Sequence, residues 1–177
     1  MAYVKLVSGR SYPYIYNVTM AVGCRKELYK EYDGEGNVTV TTLVGSYLPN
    51  KPDDVMLVQY LLKKIYLKAD ETQGRITNYP SDITKLKIDG IHGPKTQAAI
   101  EQFQLQLRRS GKNNATDGAV DPELGLTSSI SKTDYTITWL NKYLWVLHPN
   151  LAPDIAADPE CPTLLKDKVL TPFTTRI

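Results

Sequence analysis

The sequence predicts an α+β chain that is mainly α: a three-helix bundle preceded by a small β-rich N-terminal segment. Three observations predict it. Over residues 1–48, apolar side chains recur every second position, the period of a half-buried strand. Between residues 53 and 147, three separate stretches carry apolar residues three or four apart, the period of an amphipathic helix. Proline and glycine mark the joins between these stretches.

In the first segment, Val4 and Leu6 alternate, as do Tyr14, Tyr16, Val18, Met20 and Val22, and again Val38, Val40 and Thr42. The cluster Tyr32-Asp33-Gly34-Glu35-Gly36-Asn37 supplies a turn, so a hairpin or small meander is expected. Nine of the twelve tyrosines fall at or before Tyr66. Tyrosine joins an apolar ring to a polar tip, which suits a sheet face or an interface with a protein partner or another copy. Pro49-Asn50-Lys51-Pro52 ends the segment.

Asp53 or Asp54 is expected to cap the first helix, whose stripe is Val55, Val58, Leu62 and Ile65, with Leu61 beside them, over about three turns. Residues 69–85 are polar and look like a long loop. Gly93-Pro94 opens the second helix, with Thr96, Ala99, Ile100, Phe103 and Leu107 inward and Arg108 and Arg109 in the last turn. Residues 111–132 look like a loop. The third helix is expected over Asp134–Leu147, carrying Ile137, Leu140, Leu144 and Leu147. Pro149 stops it, and 148–177 is expected to be a proline-rich arm with a short helix near Leu164–Val169.

The bulk numbers narrow the function classes. The chain has 177 residues, with 21 basic and 19 acidic side chains for a net charge of +2. That balance argues against a nucleic-acid partner, which selects a clustered basic face. Residues 1–23 lack the continuous apolar core of a secretory signal, and no run is long enough to span a bilayer. The expectation is synthesis in the cytoplasm, no membrane partner, and any delivery to the periplasm or wall by a route other than Sec. Cys24 and Cys161 are far apart and outside any CxxC pair, and the simplest reading is two free thiols.

The most informative stretch runs from Ile88 to Gln104: Asp89-Gly90-Ile91-His92-Gly93-Pro94, then Thr96, Ala99, Ile100, Phe103 and Gln104. Asp89 can bond backbone amides ahead of it, Gly90 supplies a left-handed φ, and Ile91 is expected to enter the core. Asp117-Gly118-Ala119-Val120 repeats the scheme 28 residues later, an internal pseudo-repeat. With Asp54-Val55 and Val58-Gln59 before it, this pattern resembles the three-helix peptidoglycan-binding domain family over roughly residues 53–147. His92 stands where that family has an aromatic, and Asp121 and Glu123 depart from its second turn. The resemblance implies non-catalytic binding of bacterial cell-wall peptidoglycan, glycan or stem peptide, in a phage, lysis or secretion-machine setting. It implies a shallow groove near the Asp89–Gly93 turn, with Asp89, Gly90, His92, Gln104, Arg108 and Asp117 as the candidate ligand-binding residues. The alternative is a structural adaptor that uses the same scaffold to hold a protein.

Catalytic and metal chemistry find little purchase. His92 and His148 are the only histidines and have no ligand-spaced partners, so no metal or other cofactor is expected. Gly23-Cys24-Arg25 is similar to the cysteine turn of L,D-transpeptidases, but no histidine precedes it to activate a thiolate. Asp117, Asp121 and Glu123 lack the alternating spacing of a calcium loop. Asp154, Asp158 and Glu160 are expected to form a solvated acidic patch, and no carboxylate pair marks a glycosidase. A binding protein, not an enzyme, is the expectation.

Overall fold

Val55 to Leu62 is apolar at every position except Gln59, a run too continuous for a helix with one buried face. The computed structural model describes residues 2–6, 12, 14–71, 83–125 and 132–169. In it, helix α1 (Pro52–Glu71) has every residue from 54 to 62 buried. A helix buried all round must sit at the centre. Its neighbours are α2 (Pro94–Arg109), α3 (Thr136–Leu147), α4 (Thr163–Val169) and a 3-10 turn at Ile83–Lys85.

This arrangement corrects the expected three-helix bundle. Among the described residues there are four α-helices and two small antiparallel sheets, so the fold is α+β. Strands β1 (Tyr3–Leu6) and β2 (Tyr14–Asn17) form one ribbon. Strands β3 (Val22–Tyr32), β4 (Val38–Tyr47) and β5 (Ala119–Val120) form the other sheet, in the order β4-β3-β5. The physical reason lies in α1. Counting a single stripe leaves out Met56, Leu57 and Tyr60, all buried, and these extra faces need cover from more than two helices. One core cluster accordingly draws on Ala2, Tyr16, Val18 and Val22 before α1 and on Ala152, Ile155 and Leu165 after α3.

Other expectations need smaller corrections. Helix α1 has 20 residues rather than about three turns. Asp53 and Asp54 sit inside its first turn instead of capping it. Asp54 is buried and accepts from the Thr19 and Met20 amides at 2.9 and 3.0 Å and from the Thr19 hydroxyl at 2.8 Å, so it fixes the bend between β2 and β3. The alternation from Tyr14 to Val22 is broken by that bend. Helix α3 begins at Thr136, and the stretch 111–132 contributes β5. The tail carries a second 3-10 turn at Ile155–Ala157 as well as α4. Much of the expected loop at 69–85 lies outside the described residues, as do 170–177.

What joins these short elements is a set of side-chain carboxamides that behave like pieces of backbone. A carboxamide offers one acceptor oxygen and two donor hydrogens, enough to pair with a peptide N–H and C=O together. Asn141 of α3 accepts from the Tyr16 amide and donates to the Tyr16 carbonyl, both at 2.8 Å, which docks β2 on α3. Asn17 does the same to Glu123, Asn50 to Gly23, and Gln97 to Cys24.

The two Asp-Gly turns are held by a matched pair of such groups. Gln59 of α1 accepts from the Asp89 and Gly90 amides at 3.1 and 2.9 Å. It donates to the Asp89 carboxylate, the Ile91 carbonyl and the Thr96 hydroxyl. Gln104 of α2 accepts from the Gly118 amide at 2.8 Å. It donates to the Asp117 carboxylate, the Ala119 carbonyl and the Thr136 hydroxyl. The pseudo-repeat is therefore physical: each glutamine ties one Asp-Gly turn to the threonine in the first turn of the following helix.

The tail is pinned to α1 by a partly buried ionic cluster. Lys64 Nζ lies 2.7 Å from Asp158 Oδ2, and the Tyr60 hydroxyl donates to the same oxygen at 2.6 Å. Asp158 is buried, so it is no part of a solvated patch. Burial pushes its carboxyl upward, but the hydrogen bonds from Lys64 and Tyr60 outweigh burial and hold it below the ordinary carboxylate value. A carboxyl held low in the fold stabilises above its unfolded value, and that contribution is lost as pH falls through the folded value.

Two outcomes follow. Gln104→Leu strands the Gly118 amide and the Ala119 carbonyl without their side-chain partner and lowers the unfolding free energy by about 2–3 kcal/mol, read by urea denaturation. Acidification below about pH 4 lowers the thermal midpoint of the wild type, and Asp158→Asn, already destabilised at pH 7, shows a flatter profile through that window.

Candidate binding cleft

Lys85, Leu86, Lys87 and Ile88 alternate outward and inward: both lysines are exposed, Leu86 is buried and Ile88 is half-buried against the core. Lys85 ends the 3-10 turn and Lys87 lies two residues on, and both line the cleft beside the Asp89-Gly90 turn. Gly90 has φ +75°, and a Cβ there would fall 2.7 Å from the Pro52 carbonyl oxygen, so the turn closes hard against the start of α1. Gly93 and Pro94 then launch α2. The Gly93 N-cap has no side-chain cap, Pro94 has no N–H, and the first turn has no acidic residue. A helix's own bonding leaves its first-turn amides free, so this end favours an anion.

The turn, the stretch from Lys85 to Lys87 and the helix start line an open cleft of about 410 Å³. Lys85, Lys87 and Lys95 line it against one carboxylate, Asp89. Leu86, Ile91 and Pro94 provide apolar wall, and Gln59 and Thr96 form polar floor. Ile91 does not enter the core as expected. It is 69% exposed on the rim, because Gln59 and Asp89 both bind its backbone and hold the side chain outward. Such a cleft can hold a small ligand with a carboxylate and short apolar groups.

The six candidate residues divide among several places. Asp89 lines the cleft, and Gly90 supports it from behind. His92 lies on another flank, where Nε2 is 2.9 Å from Gln97 Oε1 and its ring stands nearly perpendicular to that of Tyr47. Gln104 is fully buried in the second clasp. Asp117 belongs to that clasp and pairs with Arg25 Nε at 3.2 Å. Arg108 stands at the far end of α2, donating to the Asn114 carbonyl. The cleft lysines are missing from that set. The signal for Lys85 and Lys87 is the alternation of charged and apolar residues from Lys85 to Ile88 just before the turn, and Lys95 follows Pro94 in the first turn of α2.

Other chemistry is placed as follows. Among the described residues, no group of three or more His, Cys, Asp or Glu is gathered to hold a metal ion. Cys24 is half-buried and Cys161 buried, and both are free thiols. Burial pushes the Cys161 thiol up to about 11, which leaves it protonated near neutral pH. His148 Nε2 is 3.0 Å from the Lys64 carbonyl, a structural contact near the tail. No described helix is long and apolar enough to cross a membrane. No protein-family model, curated protein or solved structure matches this chain, so its own residues carry the functional reading.

Gly90→Ala combines left-handed strain with a collision against Pro52, whereas Gly111→Ala at φ +73° meets nothing within 4 Å. Strain alone costs roughly 1–2 kcal/mol. Gly90→Ala is expected to lose clearly more stability than Gly111→Ala and to shift the amide resonances of Ile91–Thr96. Equal losses would show that the turn is not packed against α1.

Proposed function

We propose that this protein is a non-catalytic binder of bacterial cell-wall peptidoglycan, and that the cleft beside the Asp89-Gly90 turn takes a carboxylate-bearing stem peptide. The observation that carries the reading is the cleft itself: three lysines against one carboxylate, around an apolar wall, at an uncapped helix start. A stem peptide presents the matching chemistry, free carboxylates beside short apolar side chains. The motif resemblance centred on Asp89, Gly90, Gly93 and Thr96 supports the same ligand and the same place. A phage, lysis or secretion-machine system is the setting that fits such a binder.

The expected affinity is modest. Exposed lysine–carboxylate pairs contribute about 0.2–1 kcal/mol each, so three of them amount to roughly a tenfold effect. Repetition of the ligand along a polymer raises retention well beyond a single contact. Salt weakens binding, because exposed pairs are screened within about 10 Å at 0.1 M ionic strength.

The test is co-sedimentation with purified murein sacculi. The wild type is expected in the pellet at low salt, and Lys85→Gln/Lys87→Gln/Lys95→Gln is expected to weaken retention by about tenfold while keeping its thermal midpoint. Wild-type protein left in the supernatant, or a triple variant that pellets equally well, overturns the proposal.

A further inference from the structure

The hairpin of β3 and β4 pairs from Cys24↔Tyr47 to Tyr32↔Val38, while β5 covers only Val22 and Gly23 at its base. A backbone bond from the Lys26 amide to the Asp117 carbonyl extends that cover slightly. Past Lys26, each described strand pairing is between β3 and β4 alone. An isolated two-stranded ribbon is marginal in water. Its residues Val38, Val44 and Tyr47 are exposed, Tyr47 by 83%.

The two edges of this ribbon differ in protection. Edge strands normally carry charges or prolines that block further pairing. On β3, Arg25, Lys26, Glu27, Lys30 and Glu31 provide five charges in eleven residues. On β4, Val38 to Tyr47 has no charged residue and no proline in ten, and is rich in valine and threonine. Among the described residues, β4 is the outer strand of its sheet and pairs only with β3, so its uncharged edge is open along its length, whereas the edge of β3 that is open past Lys26 carries charges.

We propose that β4 pairs antiparallel with β4 of a second copy of this chain, giving a four-stranded sheet of order β3-β4-β4-β3 about a two-fold axis. A second copy fits for two reasons. An antiparallel two-fold contact needs only one self-complementary patch, and β4 facing itself opposes no like charges. The assembly also closes as a dimer, because the outer edges it leaves are the charged β3 strands, which resist further addition.

Sedimentation velocity of the full chain across about 1–100 μM, the range for a contact of this kind, tests the proposal. A concentration-dependent dimer is expected. Val38→Lys/Val44→Lys replaces two exposed side chains, sets like charges across the axis and is expected to weaken the dimer at least about tenfold with unchanged helical circular dichroism. Mixing it with Val38→Glu/Val44→Glu is expected to restore association as a heterodimer. A wild type that stays monomeric throughout, a lysine variant that dimerises as well as the wild type, or a mixture that fails to associate overturns the proposal. So does a wild-type chain whose β4 edge pairs only with a different protein.

Discussion

Short elements on long connections need something to hold them at fixed separations, and in this chain side-chain carboxamides supply it. Gln59 and Gln104 each replace a missing strand partner for an Asp-Gly turn, and Asn17, Asn50, Gln97 and Asn141 each pair with both peptide groups of one distant residue. A buried peptide group left without a partner costs about 1–3 kcal/mol, comparable to a sizeable part of a domain's net stability. Turns that contribute no regular hydrogen bonds of their own therefore become as fixed as strands. The position of the Asp89-Gly90 turn, and with it the cleft, depends on Gln59, which reaches the turn and the start of α2 at once.

Much of the local structure is legible in the sequence where pattern and punctuation coincide. Helix α2 is bracketed by Gly93-Pro94 and Gly111, and its inner face is a plain three-and-four repeat. The β3–β4 hairpin shows in its glycine turn and in the alternation of Val38, Val40 and Thr42 on β4, while β3 carries no such period. Helix α1 hides its role, because finding one apolar stripe does not reveal that the remaining faces are apolar too. That one feature separates a three-helix bundle from the observed α+β fold with α1 at its centre. Strand β5 has two residues and no period to detect.

Functional residues are harder to read for a related reason. A polar side chain at a fixed motif position invites a ligand-binding role, and Gln104 and Asp117 fit that pattern. Burial reverses the interpretation: Gln104 is 0% exposed and spends its hydrogen bonds on the second turn and on Thr136. The residues that line the cleft with positive charge are Lys85, Lys87 and Lys95, none of which stands at a matched position of the motif. The fold thus uses its polar motif residues as internal bracing and presents simpler charges to the outside. The uncharged β4 edge follows the same economy, offering backbone groups rather than a constellation of side chains.

The claim that carboxamides brace the turns is tested most directly by native-state hydrogen exchange at the Gly90 and Gly118 amides. Both lie in turns, outside any helix or strand ladder, and each donates to a buried glutamine oxygen. The account predicts exchange as slow as that of the α1 core amides, limited by global unfolding. Rapid exchange at either glycine, at the rate of an open turn, would contradict it.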